Sequence, residues 1–266
     1  MRPIIGTLLA VARPADIGPA GAVDWLVLLA KDEAGYDNLC KLVSSGHLER
    51  PGHEQPHGAF EVLQGATDGL IALTAGGEGA IGRVFADGQD GKARAYAERL
   101  AELFADRLYI EISRRGDPVE EASEDGLVDL AYALDLPLVA TNPAQYAEKE
   151  FHAAHDAMLC IANSTYVETA ERPSSSPEAW LKDGPAMAEL FADLPEAIAN
   201  TAVIAQRCAV TAPKRRPILP RLSDDEDETL RREAHAGLEQ RLNDRPHEQK
   251  KQYRVRVSDL VKDGDV

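Results

Sequence analysis

The sequence predicts an α/β fold followed by a helical extension. In the first half of the chain, continuous apolar runs alternate with segments whose apolar residues recur at helical spacing. The apolar runs are PIIGTLLAV, DWLVLLA, GLIALTA, RLYIEI and PLVATN. After about Tyr146 the pattern is entirely helical. This alternation is typical of parallel β/α units, whose functional residues follow the carboxyl ends of the strands.

The composition restricts the class of protein. With 266 residues, 44% hydrophobic and 28% charged, the chain has the composition of an ordinary soluble protein with a substantial core. No run reaches the roughly 20 apolar residues that cross a bilayer, and the opening apolar stretch is too short and interrupted for a signal peptide. We therefore expect a cytoplasmic protein without a membrane partner. The net charge of −16 argues against independent binding to nucleic acid.

The first helix is expected to begin near Asp32 and to end near Gly46. Its apolar positions share one helix face and are Tyr36, Leu39, Cys40 and Val43. The three cysteines have no CxxC spacing and lie among apolar neighbours, so they are expected to be buried reduced thiols: Cys40, Cys160 and Cys208.

Residues 47–60 and the GGEGAIG segment are expected to carry no chemistry. Residues 47–60 are rich in His and Pro and are predicted to form a surface loop, in which His47, His53 and His57 are solvated. The second matches neither the dinucleotide nor the P-loop spacing, so it predicts a tight connection from a strand to a helix. Glu111, Asn142 and Gln145 lie at or just after the ends of the later strands, so they are candidate functional residues.

The domain organisation predicted from the sequence is a main domain over residues 1–210, a linker over 211–226 and a helical segment over 227–266. The linker is rich in Pro and contains the concentrated basic residues Lys214, Arg215, Arg216 and Arg221. These side chains are candidates for phosphate contact. The acidic run SDDEDE that follows cancels much of their field, which favours a solvated connector.

Four segments resemble the polymerase-and-histidinol-phosphatase (PHP) region of bacterial DNA polymerase III alpha subunits. They are GYDNLCKLVS (35–44), LYIEISRRG (108–116), PLVATN (137–142) and AHDAMLCIA (154–162). The likeness continues through residues 190–208 and 214–222, where it resembles the alphaproteobacterial replicative branch.

The resemblance implies a PHP-type distorted β/α barrel that is incomplete, because the chain looks truncated at both ends. The family's opening HxH segment lies before the part matched here, and the palm with its catalytic aspartates lies after it. The segment 227–266 is then the helical start of the palm region with a divergent tail. We accordingly expect no catalytic residue in this chain, and Mg²⁺ only in the full polymerase.

The resemblance also implies a degenerate metal site. Glu111 matches an acidic metal ligand of the family, whereas Pro143 and Gln145 stand at lost ligand positions. Arg115 stands where metal-competent relatives often have His, and its fixed charge would repel a cation and pair with Glu111. We therefore expect no metal in this chain.

A second set of candidate ligands lies on one predicted helix. His152, His155 and Asp156 are spaced to share one face and would suit a metal or a phosphate. The resemblance favours the other interpretation, in which this is a helix packed against the barrel.

The leading functional hypothesis is a part of a replicative DNA polymerase whose PHP region is a scaffold. The resemblance implies the proofreading exonuclease (epsilon) subunit and other replicase subunits as partners, with DNA contacted only in the full-length protein. One alternative is a freestanding PHP-type metal-dependent phosphoesterase. Another is a non-functional product of a broken gene, to which the unusual tail QYRVRVSDLVKDGDV points.

Overall fold

A computed structural model describes residues 3–19, 21–217 and 219–242. The chain divides into two compact units, Met1–Pro213 and Lys214–Val266. None of the helices among the described residues is long and apolar enough to span a membrane. In its described part the second unit contains one helix, and the predicted divergent tail lies outside the described residues.

The first unit contains a sheet and seven α-helices in its described part. The strands are β1 (Gly6–Ala12), β2 (Val23–Ala30), β3 (Gly58–Ala59), β4 (Leu70–Leu73), β5 (Leu108–Ser113) and β6 (Leu138–Thr141). The helices are α1 (Glu33–Leu48), α2 (Ala80–Ala86), α3 (Asp90–Phe104), α4 (Pro118–Ala133), α5 (His152–Ala162), α6 (Gly184–Leu190) and α7 (Pro195–Arg207). Helix α8 (Glu226–Leu242) belongs to the second unit. The predicted α/β class with a helical extension is confirmed.

The six strands form one mixed sheet in the order β3-β1-β2-β4-β5-β6. Strands β4, β5 and β6 are parallel to one another, as the sequence predicts. The prediction is wrong for β1, β2 and β4, since β2 runs antiparallel to both of its neighbours. The described residues between β1 and β2 form no helix, and a short connection of this kind returns the chain antiparallel.

Helix α1 begins where the sequence predicts and ends later. The Asp32 carboxylate accepts a hydrogen bond from the amide of Gly35 at 3.0 Å, which caps the first turn. The helix continues past the buried Gly46 to Leu48. Cys160 and Cys208 are buried as expected, but Cys40 is exposed because it lies on the flank of α1, beside the inward-facing Leu39.

The main core lies between one face of the sheet and helices α1 to α4. Its fully buried members include Leu28, Leu70, Leu100, Phe104 and Ile110. The opposite face is covered over β4, β5 and β6, where a smaller cluster joins strand residues to Ile204 and Cys208 at the end of α7: Ile71, Leu73, Tyr109 and Val139.

The two edges of the sheet differ. At β6, the side-chain amide of Asn200 on α7 donates to the carbonyl oxygen of Leu138 at 2.7 Å. At the other edge, β3 pairs only with Val11 and Ala12 of β1. Near that edge the side chains of Leu8 and Trp25 are 46% and 38% exposed. A helix therefore covers one edge, whereas at the other edge the described residues pair with β1 only over Val11 and Ala12.

Candidate functional site

Glu111 links the carboxyl ends of the three parallel strands. It lies in β5 and is buried, being 4% exposed. Its carboxylate accepts hydrogen bonds from the Ala75 amide at 2.9 Å and from the Thr141 hydroxyl at 2.6 Å. Its own amide donates to the hydroxyl of Thr74 at 2.9 Å. The side chain of Glu111 therefore connects β5 to Ala75, which follows β4, and to Thr141, the last residue of β6.

Burial sets the protonation behaviour of this carboxyl group. Removal from water raises the pKa of Glu111, and the hydrogen bonds from Thr141 and Ala75 oppose that rise. The neighbouring Glu78 raises the pKa further, while Arg115 lowers it. Glu111 therefore has partners suited to holding a carboxylate in place, although its surroundings disfavour its charge.

Arg115 pairs with other carboxylates than the sequence predicts. Its guanidinium contacts Glu120 at 2.7 Å and Glu78 at 3.1 Å, in place of the expected ion pair with Glu111. The Arg115 amide also donates to Glu120 at 2.7 Å, as does the hydroxyl of Ser113. Glu120 belongs to the first turn of α4, so the guanidinium ties that helix to the strand end. Glu111 therefore forms hydrogen bonds with the Ala75 amide and the Thr141 hydroxyl, and Arg115 forms its ion pairs elsewhere.

The glycine-rich turn closes over this cluster. Ala75 and Gly76 have positive φ angles of 60° and 49°. A Cβ atom on Gly77 would lie 2.9 Å from the Cγ atom of Glu120, so glycine permits the close approach of the turn to α4. The crevice between the turn and Ser113 is too small to hold a water molecule. The turn is therefore a tight packing connection, in agreement with the absence of a phosphate-binding spacing in its sequence.

The residues after β6 supply no anionic ligand. Asn142 uses its side-chain oxygen to accept a hydrogen bond from the Lys182 amide at 2.9 Å. Pro143 is half-buried, and Gln145 is exposed, with its backbone amide donating to Ala179 at 2.8 Å. In the part of the chain that the structure describes, no group of three or more His, Cys, Asp or Glu residues is arranged to hold a metal ion. The donor set around Glu111 does not fit the metal centre implied by the fold family.

The second candidate set meets around Ser175. The imidazole of His152 contacts the carbonyl of Ser175 at 2.9 Å, and that of His155 contacts its hydroxyl at 3.0 Å. Asp156 accepts from both the amide and the hydroxyl of Ser175 at 3.0 Å, and it pairs with Arg172 at 2.8 Å. The hydrogen bond from the Ser175 backbone, together with the Arg172 guanidinium, lowers the pKa of Asp156 to about 2.

These contacts anchor helix α5 to the segment around residues 172–176. The expectation of a helix packed against the barrel is not met along its whole length, since Met158 and Ile161 are 66% and 79% exposed. Only Asp156 and Cys160 of α5 are buried. The spacing of His152, His155 and Asp156 predicts their shared face. Their partner Ser175 lies far from α5 in sequence, so spacing within one helix cannot identify it.

The remaining candidates are on the surface. His47 lies in the last turn of α1, and both it and His53 are exposed. His57 contacts the carbonyl of Gln55 at 2.9 Å. In the second unit the basic side chains are exposed on a segment without helix or strand: Lys214, Arg215, Arg216 and Arg221.

The first part of the chain is similar to a known domain family. Residues 1–115 match the PHP domain family. This match covers β1 to β5, including Glu111 and Arg115.

Sequence similarity extends this relationship over 91% of the chain, to bacterial DNA polymerase III alpha subunits. The chain is 40% identical over 251 residues to that subunit of Caulobacter vibrioides, 37% over 246 residues to that of Rickettsia bellii and 35% over 247 residues to that of Pseudomonas aeruginosa. These stretches represent 22%, 21% and 21% of the relatives, so the chain spans about a fifth of their length. The resemblance stated from the sequence is confirmed, including its alphaproteobacterial members.

Proposed function

We propose that this chain is a scaffold part of a replicative DNA polymerase, with a PHP region that performs no metal-dependent chemistry. The observation that carries the proposal is the guanidinium of Arg115, which pairs with the buried Glu120 at 2.7 Å and with the partly exposed Glu78 at 3.1 Å. A fixed cation there satisfies carboxylates that would otherwise attract a metal ion. The similarity to DNA polymerase III alpha subunits supports the replicative context.

The partners we propose are other subunits of a replicase, and among them the proofreading exonuclease. A metal-free PHP domain that keeps its fold offers surface in place of catalysis, which suits a docking role. The charge of −16 opposes independent binding to a polyanion, so DNA is proposed as a partner only within a full polymerase. Lys214 and Arg216 are the residues proposed to touch phosphate in that setting.

Titration calorimetry with the cognate exonuclease subunit tests the docking role. The purified chain is expected to bind the exonuclease and to show weak, salt-sensitive binding to a DNA duplex at physiological salt. The matched control for the DNA arm replaces Lys214 and Arg216 with Gln, which leaves the first unit unchanged. Tight DNA binding without any exonuclease contact would refute the scaffold proposal.

A phosphatase assay separates this proposal from the phosphoesterase alternative. We expect no hydrolysis of p-nitrophenyl phosphate above the buffer rate when Mn²⁺ or Zn²⁺ is added. Metal-dependent turnover that disappears in Glu111→Ala would favour the freestanding phosphoesterase.

A further inference from the structure

The polar contacts described for helix α5 converge on one residue, Ser175. Asp156 accepts hydrogen bonds from the amide and the hydroxyl of Ser175, both at 3.0 Å. His152 contacts the Ser175 carbonyl at 2.9 Å, and His155 contacts its hydroxyl at 3.0 Å. Both imidazole rings also lie against Tyr146, with ring centroids 5.9 and 5.4 Å apart. Among the described residues, neither apolar cluster of the first unit has a member in α5, so these polar and ring contacts are what attach the helix.

The hydrogen bonds at Ser175 have one consistent set of directions. The ionised carboxylate of Asp156 can only accept, so the single hydroxyl proton of Ser175 is directed to it. The Nδ1 atom of His155 must then donate to the Ser175 hydroxyl oxygen, and the Nε2 atom of His152 must donate to the Ser175 carbonyl. The hydroxyl therefore takes part in two of the four hydrogen bonds between Ser175 and α5.

The serine that receives α5 is fixed in place by the residues around it. The hydroxyl of Ser176 donates to the carbonyl of Arg115, which lies just after β5. The hydroxyl of Tyr146 donates to the carbonyl of Ser176 at 2.7 Å, and the amide of Leu181 donates to the carbonyl of Tyr146 at 2.9 Å. Ser175 is therefore held to the segments that follow β5 and β6. If α5 and Ser175 separate, α5 is consequently the part that moves.

The segment that follows α5 makes contacts with itself and with the helix. Residues 163–171 form neither helix nor strand, and their side chains are exposed or half-buried. The guanidinium of Arg172 donates to the carbonyl of Val167 at 3.1 Å and pairs with Asp156 at 2.8 Å. These contacts lie within one stretch of chain, so they can persist while the helix moves away from Ser175.

We propose that α5 and residues 163–172 open as one unit, and that Ser175 is the latch that keeps this unit closed. Segments that open locally are those with few buried apolar contacts, and α5 is such a segment. In the open state Glu111 keeps its hydrogen bonds with Ala75 and Thr141, because these contacts do not involve α5. Opening therefore makes the polar face of α5 accessible without unfolding the sheet. It does not depend on the polymerase assignment, since it rests on the contacts at Ser175.

The cysteine on α5 provides a test on the unchanged chain. Cys160 is buried and lies one turn after Asp156 on the same face of the helix, so it becomes accessible when α5 opens. Its alkylation by iodoacetamide, followed by mass spectrometry, measures how often the helix opens when labelling is slower than reclosing. We expect urea to accelerate this labelling less steeply than it shifts global unfolding measured by circular dichroism, because a local opening exposes less surface. Equal urea dependence of the two processes would overturn the proposal.

A pair of serine variants tests the latch itself. Ser175→Ala removes the hydroxyl and two of its hydrogen bonds to α5, so labelling of Cys160 is expected to rise ~10-fold. The exposed Cys40 and the buried Cys208, which packs on the sheet, serve as internal controls whose labelling should stay within ~2-fold. Ser174→Ala changes an exposed neighbour and is the matched control, with all three labelling rates unchanged. Unaltered labelling of Cys160 in a folded Ser175→Ala, or equal acceleration at Cys208, would overturn the proposal. If Ser175→Ala does not fold, the urea comparison on the unchanged chain decides the matter.

Discussion

Two buried carboxylates at the strand ends are stabilised in different ways. Glu111 and Glu120 are 4% and 3% exposed. Glu111 has neutral donors, the Thr141 hydroxyl and the Ala75 amide, whereas Glu120 has the guanidinium of Arg115. Equal burial therefore does not mean equal electrostatics. One carboxylate has a raised pKa and the other has a fixed counter-charge, so substitutions in the two regions should have different consequences.

The largest effect is expected from Arg115→Ala. Removing the guanidinium leaves Glu120 buried without a counter-charge, which costs about 3–5 kcal/mol of unfolding free energy. Urea denaturation at neutral pH measures the loss. The control is Arg115→Ala combined with Glu120→Gln, which should recover part of the stability because no unpaired charge remains. A loss below ~1 kcal/mol in the single variant would show that the ion pair is not what supports Glu120.

A smaller effect is expected from Glu111→Ala. The substitution leaves the Ala75 amide and the Thr141 hydroxyl without their acceptor in a buried place, at a cost of about 1–3 kcal/mol. Glu111→Gln is the matched control, because its amide oxygen still accepts from Ala75 and its amide nitrogen faces the Thr141 oxygen. Below pH 4.5, where the proton on Glu111 is retained in both states, we expect Gln to be within ~0.5 kcal/mol of the unsubstituted chain in urea unfolding. A large loss in Glu111→Gln would mean that the negative charge itself is needed.

The pH dependence of stability tests the surroundings of Glu111 directly. Because the folded chain raises the pKa of Glu111 above its ordinary value of 4.5, the folded state binds the proton more tightly than the unfolded state. The stabilising contribution of this proton is complete below pH 4.5 and is lost as pH rises through the raised pKa. Unfolding free energies of the unsubstituted chain and Glu111→Gln, measured from acid to neutral pH, should therefore diverge, with Gln gaining in relative stability. A constant difference would contradict the raised pKa.

The smallest expected effect is that of added metal. A ligand that binds only the folded chain raises its melting temperature, so the absence of a fitting donor set predicts a shift below ~1 °C with excess Zn²⁺ or Mn²⁺. Metal analysis of the purified protein supplies the check. Near-stoichiometric metal that is released by Glu111→Ala would contradict the view that Glu111 is held by hydrogen bonds alone.

The elements of the fold could be predicted from local pattern, and their pairing could not. Asp32 marks the start of α1, and the apolar period places Leu100 and Phe104 on the buried face of α3. The antiparallel direction of β2 depends on which strand lies beside it, and that contact is not encoded in the period of a single strand.

For the candidate site too, the sequence identifies single residues and does not identify which of them contact one another. Sequence identifies Glu111 as the carboxylate at a strand end, and it identifies Arg115 as a charge that opposes a metal ion. It does not identify Glu120 as the partner of Arg115, because an acidic residue in the first turn of a helix is usual for the helix dipole alone. The serine that joins His155 and Asp156 was likewise missed, since Ser175 lies in a segment without apolar periodicity.

The contact of Asn200 with the Leu138 carbonyl limits how this protein could assemble. Filaments that grow by joining sheets edge to edge need two open edges on every molecule, so that each added subunit presents a new growing end. Here α7 occupies the β6 edge and uses one of its backbone acceptors. Association through the β6 edge would consequently have to displace the Asn200 side chain from the Leu138 carbonyl.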